Sequence, residues 1–171
     1  KALDGGLGAA LLRTDERWRS PLLCAAASGR GEVVELLLAL GAPIEQSDDL
    51  GTTPLLAACA AGEPKAVAVL LASGAKPRRR SRAGRDALCC AAMRGHLPVM
   101  PLLLPACASS VPDAIVQAAA EGETRTALAL VELCPLPLPQ MKAPGACPQL
   151  IDALMRRCGE EARAAYAQSS A

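Results

Sequence analysis

The chain repeats itself on one fixed step, and no other property restricts its fold so strongly. Arg19-Ser20-Pro21-Leu22-Leu23 returns as Thr52-Thr53-Pro54-Leu55-Leu56, a 33-residue step. Gly29, Gly62 and Gly95 keep the same step, as do Gly41-Ala42 with Gly74-Ala75, and Leu37-Leu38 with Leu70-Leu71 and Leu103-Leu104. A fixed period of this length marks stacked units, each of which buries its apolar side only against its neighbours. Composition says what the units are made of. Ala (36) and Leu (27) dominate the 171 residues, with no Phe, one Trp, one Tyr, three Ile and no Asn. Strand-formers are scarce and the best helix-formers abundant, so the expected class is all-α with no sheet beyond short hairpins.

Each unit reads as two short helices and an extended finger. In the second unit Thr53 caps a helix whose first turn holds Pro54, where the missing N–H has no intrahelical partner to lose. Leu55, Ala58 and Cys59 form its buried stripe, and small Ala residues let neighbouring helices approach closely. Gly62 ends it, at a place that favours a left-handed residue. A second helix is expected from about Pro64 to Ser73, with Val67, Leu70 and Leu71 inward, and Gly74 stops it. A finger follows from Lys76 to Gly84.

Over about residues 15–104 this pattern resembles the ankyrin repeat. Ser20-Pro21-Leu22-Leu23 and Thr53-Pro54-Leu55-Leu56 look like the family's Thr-Pro-Leu-His turn with Leu in place of His, and Asp86-Ala87-Leu88-Cys89 is a weaker copy. The resemblance implies an all-α ankyrin-repeat solenoid: three clear helix-turn-helix units, one degenerate unit and helical caps. The stack is expected over 1–134, with units at about 15–47, 48–80, 81–112 and a degenerate 113–134. In the last, Ala118-Ala119-Ala120-Glu121-Gly122 follows Ala91-Ala92-Met93-Arg94-Gly95 on a 27-residue step instead of the 33-residue one, so its finger is about six residues short. That finger would contain Pro105 and Pro112, Asp113 would cap the first helix, and Thr126 to Leu133 would form the second. Leu7 to Leu12 is expected as a half-unit cap, 135–148 as a Pro-rich linker, and 149–171 as a capping helix and tail.

Charge and cysteine usage bound the setting. Eighteen basic against 17 acidic residues leave +1, which gives the whole molecule no strong field for nucleic acid or membrane. No apolar run of about 20 residues is expected, hence no membrane-spanning segment. The eight Cys form no Cys-x-x-Cys pair, and Cys24, Cys59, Cys89 and Cys90 sit in Ala/Leu runs. They are expected as reduced, buried small apolar residues in an intracellular, reducing compartment, the cytoplasm or an organelle interior. The chain begins at Lys1, so a targeting peptide is one segment that could be missing from it.

No catalytic constellation, metal site or cofactor site is expected. The single His, His96, falls just after Gly95, where it would pack between helices. Asp48-Asp49 and Glu160-Glu161 are not placed to face each other across a cleft. Gly5-Gly6-Leu7-Gly8 lacks the strand and the Gly-Lys-Ser/Thr of a phosphate loop. The exceptional local feature is Lys76-Pro77-Arg78-Arg79-Arg80-Ser81-Arg82, with Arg85 after it. Moving back one period sets Arg78 beside Glu45 and Arg82 beside Asp49, as finger-to-finger pairs, and leaves Arg79, Arg80 and Arg85 without partners. These could meet acidic protein, phosphate or lipid headgroups, or serve as a nuclear-import signal.

The resemblance implies a non-catalytic protein-binding module whose partner-facing positions flank the finger turns and end the first helices. Residue by residue these are Glu16, Arg17, Arg19, Ala27 and Ser28, then Asp49, Leu50, Thr52, Ala60 and Ala61, then Arg82, Ala83, Arg85, Met93 and Arg94, and the arginine run adds Arg79 and Arg80. The expected partner is a protein with an acidic patch, with no small-molecule substrate. The role is a scaffold or accessory subunit of a larger assembly, one in contact with a membrane complex among the options. The alternatives are a soluble adaptor for an acidic partner, or a binder of anionic lipid or nucleic acid through the Arg-rich finger.

Overall fold

The structure, a computed structural model, describes residues 5–133. The expected linker at 135–148 and cap at 149–171 lie outside the described residues. The elements are α1 (Gly5–Leu12), α2 (Pro21–Ala27), α3 (Gly31–Ala39), α4 (Pro54–Ala61), α5 (Pro64–Ala72), α6 (Ala87–Ala92), α7 (Met100–Cys107), α8 (Val111–Ala120) and α9 (Thr124–Leu133). Among the described residues there is no strand. α2, α4, α6 and α8 pack on one another as an inner layer, α3, α5 and α7 follow as an outer layer, and each inner helix packs on the outer helix that follows it. α1 packs on α2 as the half-unit at the N-terminal end.

Local chemistry explains the regularity. Ser20 and Thr53 accept from the amides of Leu23 and Leu56 at 3.2 and 3.3 Å, capping α2 and α4, and Pro21 and Pro54 open those helices. Asp86 does the same for α6, accepting from Cys89 N at 3.0 Å. From Pro54 to Cys59 every residue of α4 is buried, because Ala and Cys side chains let α2 and α6 close on it from both sides. Leu22, Leu55, Leu56, Leu88, Val67 and Leu70 are fully enclosed. Each such Leu is worth about 2 kcal/mol of transfer free energy.

The thiols mostly share this core. Cys59, Cys89 and Cys107 are buried and Cys90 half-buried, but Cys24 is exposed, contrary to expectation. Cys24 does not hold the place of Cys59 in the repeat, which falls on the fully buried Ala26 of the same helix. Burial pushes the Cys59 and Cys89 thiols far up, and those of Cys90 and Cys107 up to about 11. Thiolate is the reactive form. Alkylation of the native chain at pH 8, mapped by peptide mass, is therefore expected at Cys24 within minutes and at Cys59, Cys89 and Cys107 only after unfolding. Fast native labelling of Cys59 would contradict this packing.

The degenerate unit departs from expectation in three ways. Pro105 lies inside α7 and Pro112 in the first turn of α8, so no finger forms between them. Ser110, not Asp113, precedes α8, and it makes no side-chain cap. The run Leu97–Ala120, with an 18-residue stretch of mean hydropathy 1.6, is long and apolar enough by composition to cross a membrane, which corrects the expectation that no such run exists. Here it folds as α7 and α8 around the short 3-10 turn Ala108–Ser110, and α8 packs between α6 and α9.

Candidate protein interface

Among the described residues three fingers with one geometry project from the stack. In each, a polar residue opens a tight turn: Asp15, Asp48 and Ser81, on the repeat step. Asp15 N donates to Arg19 O at 3.2 Å, Asp48 N to Thr52 O at 3.1 Å and Ser81 N to Arg85 O at 2.9 Å. Asp15 Oδ1 accepts from the amides of Arg17 and Arg19, and Asp48 Oδ1 from those of Leu50 and Thr52. The turns therefore carry their own acceptors, which is the structural use of Asp48. Arg19 closes back on Asp15 with its Nε and Nη2 at 2.7 Å. That hydrogen bond holds the Asp15 carboxyl below its usual value.

The fourth residue of each turn needs a left-handed backbone. Gly51 and Gly84 supply it, with φ of 72° and 74°. In the first finger the same place is held by Trp18, at φ 59°, and it is 66% exposed. A Cβ at Gly51 would lie 3.2 Å from Arg82 N on the next finger. A left-handed L-residue costs roughly 1–2 kcal/mol, so an exposed indole is kept here against the local backbone preference. Leu50, on the neighbouring fingertip, is 64% exposed. The expected positions did not include Trp18. Its signal was present in the sequence, one period before Gly51 and two before Gly84.

Backbone bonds join the tips: Asp49 N donates to Arg17 O at 3.3 Å, and Arg82 N to Leu50 O at 2.9 Å. The roots are joined by side chains. Lys76 N donates to Glu45 Oε1 at 2.9 Å, and Arg79 pairs with Glu45 at 3.1 Å. The pairing expected for Arg78 thus falls to Arg79. Arg78 donates instead to Ser109 Oγ, and Arg80 pairs with Asp113 at 3.1 Å, so both reach the degenerate unit. Arg82 meets the second finger through its backbone rather than through Asp49.

Of the expected partner-facing residues, Glu16, Arg17, Asp49, Leu50, Arg82 and Arg85 are exposed on the fingers, and Arg94 is exposed and Met93 half-buried at the end of α6. Thr52 is half-buried in its turn, and Arg19, Arg79 and Arg80 are tied into ion pairs. Among the described residues Arg17, Arg82, Arg85 and Arg94 make no ion pair. His96 packs as expected: its Nε2 donates to Ala60 O at 3.0 Å, and the ring covers Gly62. Among the described residues no group of His, Cys, Asp and Glu is placed to hold a metal ion.

With this geometry in place the comparisons give the family. Residues 6–81 match the family model for ankyrin repeats in three copies, and that segment belongs to the ankyrin repeats. The match starts inside α1, earlier than the resemblance at 15–104, and ends in the third finger. Together with the all-helical stack it makes the fold an all-α ankyrin solenoid. Ankyrin repeats are generally protein–protein interaction modules. No curated protein matches the chain.

Proposed function

We propose that the chain is a non-catalytic module that binds a partner protein through its fingertips and the adjoining ends of the inner helices, as a scaffold or accessory subunit of a larger assembly. Trp18 carries this reading. It is the one Trp of the chain, it is exposed, and it occupies a left-handed turn position that the next two fingers give to glycine. Exposed aromatic anchors of this kind dominate binding energy at protein interfaces. Arg82, Arg85 and Arg94, without ion pairs among the described residues, support an acidic partner surface. The free thiols of Cys59, Cys89, Cys90 and Cys107 support a reducing compartment.

The Trp18→Gly variant separates a binding role from a scaffold role. Release of backbone strain is expected to raise stability by about 1 kcal/mol in urea unfolding. The same variant is expected to weaken binding of the partner, captured with the wild-type chain, by tenfold or more. A less stable variant with undiminished binding would assign Trp18 to the scaffold and remove the support for this reading.

A further inference from the structure

Among the described residues the finger row is open beyond the third finger, as it is at Glu16 N on the first. Each finger presents the same two backbone groups at its tip, an acceptor at Arg17, Leu50 and Ala83 and a donor at Glu16, Asp49 and Arg82, all on the 33-residue step. Two joints are closed, Arg17 O with Asp49 N and Leu50 O with Arg82 N. The third acceptor, Ala83 O, receives no backbone donor among the described residues. The cause lies in the sequence. The fourth unit returns early, on the 27-residue step from Gly95 to Gly122, and goes from α7 into α8 through Ala108–Ser110 with no finger.

The roots of the fingers continue where the tips stop. Glu45 takes Lys76 N, and one period further along Arg78 takes Ser109. With the Arg80–Asp113 pair, these contacts hold the fourth unit against the base of the third finger. Its chain is committed there and cannot supply the missing tip. Arg82 and Arg85 are exposed on the same finger as the open acceptor and make no ion pair among the described residues. The neighbouring Arg79 and Arg80 are already neutralised by Glu45 and Asp113.

We propose that the end of the finger row beyond the third finger takes one extended acidic segment of a partner protein, which docks as a fourth finger. One backbone N–H of the segment donates to Ala83 O, continuing the series Arg17, Leu50, Ala83. Its carboxylates lie against Arg82 and Arg85. Backbone pairing sets the register and charge supplies the encounter rate and much of the affinity. The inference rests on the protein-binding reading but uses the end of the row away from Trp18, so the two can fail separately.

The test uses the full chain and a capped ten-residue peptide alternating Glu and Thr, followed by titration calorimetry at about 50 mM salt, where surface charge is weakly screened. Saturable binding is expected. It should fall at least tenfold with Arg82→Glu plus Arg85→Glu, and at least tenfold when alternate peptide amides are N-methylated on the docking edge. It should be unchanged in Leu36→Ala, an exposed position on α3 away from the fingers. A chain given a six-residue insertion between Ser109 and Ser110, to restore the finger, should no longer bind. If circular dichroism shows that this variant has not folded, the charge-reversal and N-methyl arms decide. Binding indifferent to N-methylation on either edge would mean a charge-only surface and overturn the inference while leaving the protein-binding reading intact. Tighter binding of heparin or of phosphatidylserine vesicles through the same arginines would reassign the site to a polyanion. No binding of the peptide would also overturn the inference.

Discussion

Gly62→Ala is expected to cost about 2–3 kcal/mol of folding stability, seen as a lower urea midpoint with an unchanged slope. Two separate effects add. Gly62 closes α4 with φ 77°, a conformation that a residue with a Cβ adopts at roughly 1–2 kcal/mol. The added Cβ would also fall on the imidazole of His96. The ring must then leave, and its bond to Ala60 O, 3.0 Å long, is lost with it, at about 1 kcal/mol. That bond ties the third unit to the end of the second unit's inner helix. The His96→Ala background checks the division. There the clash partner is absent, and Gly62→Ala should cost only the backbone share of about 1–2 kcal/mol. Equal costs in both backgrounds would show that His96 does not pack on Gly62.

Asp86→Thr is expected to act in the other direction, stabilising the chain by about 1–2 kcal/mol. Asp86 is 1% exposed. One carboxylate oxygen caps α6 through Cys89 N, and the other, Oδ2, is buried with no N–H or O–H donor, the weakly donating Cys89 thiol being the side chain that lies against this carboxylate. A buried acceptor left unpaired costs roughly 1–3 kcal/mol. Thr53 occupies the equivalent place in the second unit and caps α4 with a hydroxyl. Threonine at 86 would therefore keep the cap and remove the orphan oxygen. Asp86→Ala also removes that oxygen but gives up the cap, worth about 1 kcal/mol, and should come out near neutral. A destabilised Asp86→Thr chain would mean that Oδ2 has a role in the third unit that this account lacks.

The 33-residue step made the stack, the caps at Ser20 and Thr53, the stop at Gly62 and the packing of His96 legible from sequence. These are local effects, decided by a residue and its neighbours within one unit. What was not legible depends on register between units. One period back from Arg78 lies Glu45, but the contact to Glu45 is made by Arg79. The length of the degenerate step revealed a shortened finger. That it vanished entirely, with Pro105 absorbed into α7 and Asp113 engaged by Arg80, follows from packing that no single segment encodes. Cys24 shares its Ala-rich surroundings with Cys59 but not its place in the repeat: one period before Cys59 lies Ala26, which is fully buried on the same helix as Cys24. Trp18 was legible and overlooked, because the left-handed place in a repeat is marked by its glycines and not by the residue that replaces one.

The central claim is that partner binding falls on the fingers and not on the outer helices. Site-specific photo-crosslinking tests it most directly. The photoreactive residue is placed in turn at Trp18, Leu50 and Arg85 on the fingers, and at Leu36 on α3, which is 58% exposed and apolar. After irradiation in an extract of the source cells, the finger positions are predicted to give the same discrete protein adduct and Leu36 none. An adduct at Leu36 with none at the three finger positions would contradict the account.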